Sequence, residues 1–477
     1  MAELDHQKKP HAIFIPYPLQ GHVIPSVELA IKLASRGFKI TFVNTQSIHH
    51  HTSKAQPKTG GDLFAAAREA GHDIDYTTVS DGLPVEFDRS LNHDQFMASL
   101  LHVFSAHVDE LVGKLVTSSA STSSITCLIA DTFFVWPAKV AKKFDLLYVS
   151  FWTEPALVYS LYYHVDFLRR NGHFACHDLR EDDIDYIPGV KSIDPKDMMS
   201  YLQETNTTTV CHNIIFNAFK DVRGAHYVLC NTVQEMESET IKPLHAKIPF
   251  YAIGPIFPNR FNKSIVATSL WSESDCSQWL DSRPHGSVLY VSFGSYAHLS
   301  KGDLIEIANG LELSKVNFVW VLRPDIVSSE DTDPLPSGFK ERTSDRGIII
   351  QWCCQKSVLA HPAIGGFLTH CGWNSTLESI WCGVPLLCYP LLTDQFTNRK
   401  LIVDDWKVGT NLCDRKVVKK ERVSYKINHL MDVKSGEEFR KAVAKVRKTL
   451  EDALKPNGSS EQNMDTFIKD LKARIRK

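Results

Sequence analysis

Short, uninterrupted apolar runs alternating with amphipathic stretches constrain this chain more than any other feature. In the first half the runs are His11–Pro16, Lys39–Asn44, Asp73–Val79, Ile125–Ala130 and Leu146–Phe151. Helical patterns separate them. One carries Val23, Val27, Leu29, Ala30 and Leu33 and stops at Gly37; a second is a group of alanines around Ala65–Ala70. A long one extends from near Asp94 to about Val116, and another passes through Trp136, Val140 and Ala141. Strand-length runs without polar alternation are buried on both faces, which is the situation of a parallel sheet covered by helices on each side. Tyr227–Asn231 and Phe250–Gly254 read as closing strands.

From Pro255 to about Asp281 the periodicity fades and Pro, Asn and Ser are frequent, as in a linker. A second series then begins. Its strands are Val288–Phe293, Asn317–Leu322, Arg346–Gln351, Gly366–Thr369 and Leu386–Tyr389. Helices are expected through Leu304, Ala308 and Leu311, and from about Asn374 to Cys382. The tail reads as helices over Asp394–Trp406, Glu421–Met431, Gly436–Leu454 and Gln462–Arg476. The fold class is therefore α/β, with two doubly wound sheets in tandem and a cleft between them. Residues 1–254 form the first domain, 255–281 the linker and 282–457 the second domain, with 458–477 a final helix expected to pack back on the first. At 477 residues the chain is long enough for two cores.

The net charge of −2 offers no general attraction to nucleic acid or to an anionic membrane. The basic residues near the end (Lys469, Lys472, Arg474, Arg476, Lys477) read as the solvated face of a helix, and His49-His50-His51 as a solvated loop. The polar start, MAELDHQKKP, lacks the apolar segment of a secretory signal. No run approaches the ~20 apolar residues that span a bilayer. The 11 cysteines are irregularly spaced and suit buried thiols in a reducing compartment, so a cytoplasmic location and a monomer are expected. Cys353, Cys354, His361, His370 and Cys371 match no zinc spacing, and no metal is expected.

Ligands of doubly wound sheets bind beyond the carboxyl ends of the strands, so the residues that follow each strand decide the chemistry. Gly366–Thr369 is followed by His370-Cys371-Gly372-Trp373, and Asn374-Ser375 opens a helix. Unpaired backbone N–H groups and partial positive charge at a helix start suit a pyrophosphate. His370, Asn374 and Ser375 add side-chain donors, and Gly372 allows close approach. Glu378, one turn beyond Asn374, can accept from two ribose hydroxyls; a capped helix with no ligand is the lesser alternative from Asn374 alone. Ser295 ends another strand in Gly294-Ser295, as a phosphate-facing turn or a simple one. Trp352 follows Arg346–Gln351, as core or as a platform for a planar base. Asp394-Gln395 offer an acceptor beside an amide, suited to sugar hydroxyls, or an N-cap. In the first half, His22 follows the first strand and Asp131 follows Ile125–Ala130. An imidazole with a carboxylate partner is a general-base arrangement, and an unperturbed imidazole titrates at ~6.5. Periodicity alone leaves an N-cap histidine and an unrelated aspartate open.

The 44 residues from Trp352 to Gln395 resemble the signature of plant family 1 UDP-dependent glycosyltransferases. The match includes Trp352, Gln355, His361-Pro362, His370 to Ser375, Glu378, Gly383, Pro385, Pro390 and Asp394-Gln395. It extends through Gln20-Gly21-His22, Asp81-Gly82-Leu83-Pro84, Ile187-Pro188-Gly189 and Ser292 to Ser295. The resemblance implies a GT-B fold of two Rossmann-like domains. It implies that Trp352 stacks on uracil with Cys353 bonding the base through its backbone. Gln355 and Glu378 would serve the ribose, and Ser295, His370, Gly372, Asn374 and Ser375 the phosphates. Thr153, Trp373, Asp394 and Gln395 would contact the sugar, with Gln395 as in glucose users. His22 and Asp131 match the catalytic pair, implying inverting transfer from UDP-glucose to a hydroxyl, with no metal or other cofactor. Two departures stand out: Cys354 where the family usually has Pro, and Leu392 where it often has a bulky aromatic. Donor affinity or sugar choice is expected to depart there.

The acceptor pocket is expected from Phe133, Phe134, Trp136, Trp152, Tyr159, Tyr163 and Met199, suiting a small, flat, lipophilic alcohol. A nicotinamide-dependent oxidoreductase would want a Gly-x-Gly-x-x-Gly turn where this chain has Pro-Leu-Gln-Gly-His. The alternative of a non-catalytic UDP-sugar-binding protein is opposed by the presence of His22 with Asp131.

Overall fold

The computed structural model describes residues 9–56, 62–119, 125–176, 179–258, 261–262, 264–327, 334–413 and 417–476. Most of the polar N-terminal stretch (residues 1–8) and Lys477 lie outside the described residues.

The first sheet has seven strands. They are β1 (His11–Ile15), β2 (Lys39–Thr45), β3 (Ile74–Val79), β4 (Cys127–Asp131), β5 (Leu147–Trp152), β6 (Tyr227–Cys230) and β7 (Phe250–Ala252). The second has six: β8 (Val288–Ser292), β9 (Asn317–Val321), β10 (Gly347–Ile350), β11 (Ile364–Thr369), β12 (Leu386–Cys388) and β13 (Gly409–Asn411). The orders are β3-β2-β1-β4-β5-β6-β7 and β10-β9-β8-β11-β12-β13, with every pairing parallel. β1, β4 and β8 are buried at every position, as the unalternating apolar runs require. In each sheet the winding reverses once, between β1 and β4 and between β8 and β11. A crevice opens there at the carboxyl edge.

Several sequence expectations are corrected. The helix after β1 begins at Gln20, so His22 lies in its first turn rather than in a turn before it. His49 to His51 belong to a helix, Gln46–Ala55, started by Thr45, whose hydroxyl accepts from the Ile48 N–H at 3.3 Å. The long helix expected from Asp94 contains a π-helical turn at Leu100–Phe104 between Asp94 and Val116. The helix expected over Asp394–Trp406 is Gln395–Lys400 followed by another π-helical turn, Leu401–Asp405. The segment taken as linker ends in a short helix, Ser277–Asp281. Helices Ala156–Tyr163 and Val210–Asp221, and strand β13, had no counterpart in the sequence reading.

One apolar core joins the halves. It combines Trp152, Tyr159 and Leu161 with Trp373, Ile380, Leu401 and Val443. The final helix, Ser459–Ile475, lies against the first sheet: Phe467 packs on Tyr227 and Tyr251, and the Asn463 amide donates to the Ala252 carbonyl at 2.8 Å. Among the described residues no helix is long and apolar enough to cross a membrane. The 11 cysteines are thiols outside any disulfide, eight of them buried.

Candidate functional site

The two crevices face each other across one cavity of about 330 Å³. On the first-domain side, β1 delivers His22 and β4 ends in Asp131, because these strands are neighbours at the reversal. His22 Nδ1 lies 2.7 Å from Asp131 Oδ2 and 2.9 Å from the Thr153 hydroxyl, which follows β5. Asp131 Oδ1 accepts from the Phe133 N–H at 2.9 Å, which fixes the carboxylate plane. The Nδ1 edge of the imidazole is thus enclosed, and the ring borders the cavity. Thr153 borders the cavity too, but its hydroxyl is engaged with His22, a link that the expected sugar contact did not include.

On the second-domain side, the helix Trp373–Cys382 points its amino end into the cavity, with Gly372 at the N-cap. The Gln355 amide donates to the Ser375 hydroxyl at 3.0 Å and to Glu378 Oε2 at 2.7 Å, tying a residue expected at the phosphates to one expected at the ribose. Burial raises the Glu378 pKa, with Lys356 and Gln355 opposing. His370 is pushed down to about 4, first by burial and then by the nearby Arg323 guanidinium, so at neutral pH it is an uncharged donor or acceptor. Gly294 and Gly372 flank its ring so closely that a Cβ on either would fall 2.4 or 2.6 Å from Nε2. Buried Arg323 braces the Ser295 loop through the carbonyls of Gly294 and Ala297; nothing in its sequence context signalled that role.

Asn374 makes an additional connection. Pro25 lies inside the helix Gln20–Ser35 and has no N–H to give the Gly21 carbonyl. The Asn374 amide supplies that donor from the other domain, at 2.8 Å.

Trp352 borders the cavity while its ring packs on Trp271 of the linker, centroids 4.6 Å apart. The Cys353 thiol is buried beside the Tyr290 hydroxyl, 3.6 Å away, and burial pushes it up to about 12. Cys354 has φ −71°, an angle a proline would also adopt, so this departure leaves the turn intact.

Asp394, expected at the sugar, accepts from the Thr393 hydroxyl at 2.7 Å and the Asn398 amide at 2.6 Å. Burial raises its carboxyl pKa. Gln395 Oε1 accepts from the N–H groups of Leu391 and Leu392, at 2.9 and 3.1 Å, which orients its amide nitrogen. Trp373 lines the cavity, while its indole N–H donates to the Asn231 carbonyl at 2.7 Å and its ring packs near Trp406 in the interdomain core.

The expected acceptor aromatics divide sharply. Phe133 lines the cavity. Phe134, Trp136, Trp152, Tyr159 and Met199 are buried in apolar clusters and do not line it. Phe134 stacks on Phe104 and packs against Trp136, the Trp152 indole donates to the Pro155 carbonyl, and Met199 sulfur accepts from Thr397. Tyr163 stacks on Tyr159 and also stays off the cavity. The apolar lining of the cavity on this side comes instead from Tyr17, Met97, Tyr162, Tyr201, Ile214 and Ile215, with His93 among them. Of these, Tyr17 had a usable signal, since it stands two residues past the end of β1.

Two Rossmann-like domains with opposed switch-point crevices define the GT-B class of fold. Residues 69–435 match the family described as UDP-glucoronosyl and UDP-glucosyl transferase. The chain is 59% identical over 473 residues to UDP-glycosyltransferase 86A1 of Arabidopsis thaliana, covering 98% of this chain and 96% of that one. It is 35% identical over 494 residues to 7-deoxyloganetin glucosyltransferase of Catharanthus roseus, covering 99% of each. The structure of Phytolacca americana UGT2 with UDP-2-fluoro-glucose and pterostilbene superimposes with a TM-score of 0.80 at 28% identity, over 97% of this chain and 99% of that one. The chain belongs to the plant family 1 UDP-glycosyltransferases.

Proposed function

We propose that the protein transfers glucose from UDP-glucose to a hydroxyl of a small lipophilic plant-type metabolite, inverting the anomeric carbon. The observation that carries this reading is His22, held at Nδ1 by Asp131 and Thr153 while its ring borders the cavity. Nε2 takes the proton of the acceptor hydroxyl. The oxygen attacks the anomeric carbon, the bond from that carbon to the β-phosphate oxygen breaks, and UDP leaves with the electron pair. Asp131 stabilises the imidazolium. The helix start at Gly372 and the donors at His370 and Ser375 meet the charge growing on the diphosphate. Trp352, Cys353, Gln355 and Glu378 hold the nucleoside, and Asp394 and Gln395 the sugar.

Glucose is favoured by Gln395 and by glucosyltransferases among the relatives, such as the 7-deoxyloganetin glucosyltransferase. An aromatic, lipophilic acceptor is favoured by the Tyr17, Phe133 and Tyr162 wall and by the pterostilbene bound in the Phytolacca neighbour. His22→Ala is expected to abolish transfer from UDP-glucose across a panel of phenolic and terpenoid alcohols, with UDP affinity near that of the unaltered protein. Transfer by His22→Ala at the unaltered rate overturns the assignment.

A further inference from the structure

Eight carboxyl groups are buried among the described residues. Seven have partners, such as Glu28 with Ser264, Asp81 with Arg89, Asp197 with Arg399 and Glu378 with Gln355. Glu154 is the exception. It is 8% exposed, lines the cavity directly after Thr153, and its Oε2 has no hydrogen-bond partner among the described residues.

The contrast with Glu237 is instructive, because both glutamates stand at the start of the helix Ala156–Tyr163. Glu237 accepts from the N–H groups of Ala156 and Leu157, at 3.0 and 2.8 Å, and from the Thr232 hydroxyl. The helix start is therefore already satisfied, and Glu154 has no structural task there. An unpartnered buried carboxyl is costly to keep, so its persistence points to a ligand group that completes it.

The surroundings say which kind. The charged groups acting on Glu154 are Asp394, at the sugar end, and Asp131, behind His22. Tyr162 is influenced by Glu154 and Asp394 together, which places these three side chains around one region. Burial and both aspartates raise the Glu154 pKa and favour the neutral acid, which can donate as well as accept. Among the described residues that line the cavity, Lys356 is the one Lys or Arg, and it acts on Glu378 at the ribose end. With no Lys or Arg beside Glu154 in this lining to meet an anionic group, a neutral hydroxyl fits its donor and acceptor atoms without a counter-charge.

We propose that Glu154 is a further sugar-binding residue, a carboxylic acid that hydrogen-bonds a hydroxyl of the transferred hexose beside Asp394. The proposal rests on reading this cavity as the UDP-sugar site. Calorimetric binding of UDP and of UDP-glucose separates the two ideas. If the unaltered protein binds neither, the functional reading has failed. If it binds both, Glu154→Leu is expected to keep UDP affinity within about twofold and to weaken UDP-glucose about tenfold, the loss that one buried hydrogen bond produces. Glu154→Gln, which still donates and accepts, should restore most of that affinity. Retained UDP binding certifies the fold of each variant. Unchanged UDP-glucose affinity in Glu154→Leu overturns the proposal, as does a tenfold rise in acceptor KM with donor affinity unmoved.

Discussion

Replacing Asp131 by asparagine tests how the imidazole is held, and the geometry makes the outcome specific. Asp131 Oδ1 accepts from the Phe133 N–H, so an asparagine must place its carbonyl oxygen there. Its NH2 group then falls where Oδ2 stood, 2.7 Å from His22 Nδ1. That nitrogen is forced to accept, the ring proton moves to Nε2, and the nitrogen facing the acceptor hydroxyl can no longer take a proton. A comparable tautomer inversion in a Ser-His-Asp triad lowers kcat by about 10⁴, which corresponds to about 5 kcal/mol of barrier. Asp131→Ala should be less damaging than Asp131→Asn, although it removes more atoms. Without an amide in place, the Thr153 hydroxyl, 2.9 Å from Nδ1, can still accept its proton and keep the productive tautomer. UDP release under saturating substrates measures both rates, and UDP affinity serves as the control because Asp131 does not line the cavity. If Asp131→Asn falls less than tenfold, or is faster than Asp131→Ala, tautomer control by Asp131 is refuted.

Phe134→Ala and Trp136→Ala should each lower stability by about 3–5 kcal/mol in chemical denaturation while leaving acceptor KM unchanged, since both rings belong to the core and not to the cavity. Stability should fall as pH drops from about 6.5 toward 4, because the unfolded chain takes up a proton on His370 that the folded protein, with this pKa near 4, refuses. His370→Gln should remove that part of the slope in a series of melting temperatures against pH.

Much of the fold was readable because the central strands are buried on both faces and so carry unbroken apolar runs. The reading weakened where that condition lapsed. The helix Ala156–Tyr163 is buried almost throughout, so ALVYSLYY has no polar face to reveal its period. The strand Gly409–Asn411 is three residues long and lacks apolar side chains. His49 to His51 run together as a polar stretch without an apolar period, and the one local sign of their helix is the hydroxyl cap at Thr45. At the site, polar residues after strands could be found from position alone. The apolar lining of the cavity could not, because aromatic side chains occur at the same spacings in core and cavity. Phe133 and Phe134 are adjacent in sequence, and only the packing separates them.

The bond between Asn374 and the Gly21 carbonyl bears on how the two domains can be exchanged among relatives. A proline in the first half leaves a carbonyl without its helical donor, and an amide 353 positions later completes it. Chimeras joined within 255–281 therefore take the two members of this pair from different parents. A second half without an amide at this position would leave the carbonyl open to the cleft. A first half with an ordinary residue in place of Pro25 would close its own helix and release the amide toward the nucleotide. Swapping acceptor domains is modular only when these two positions travel together.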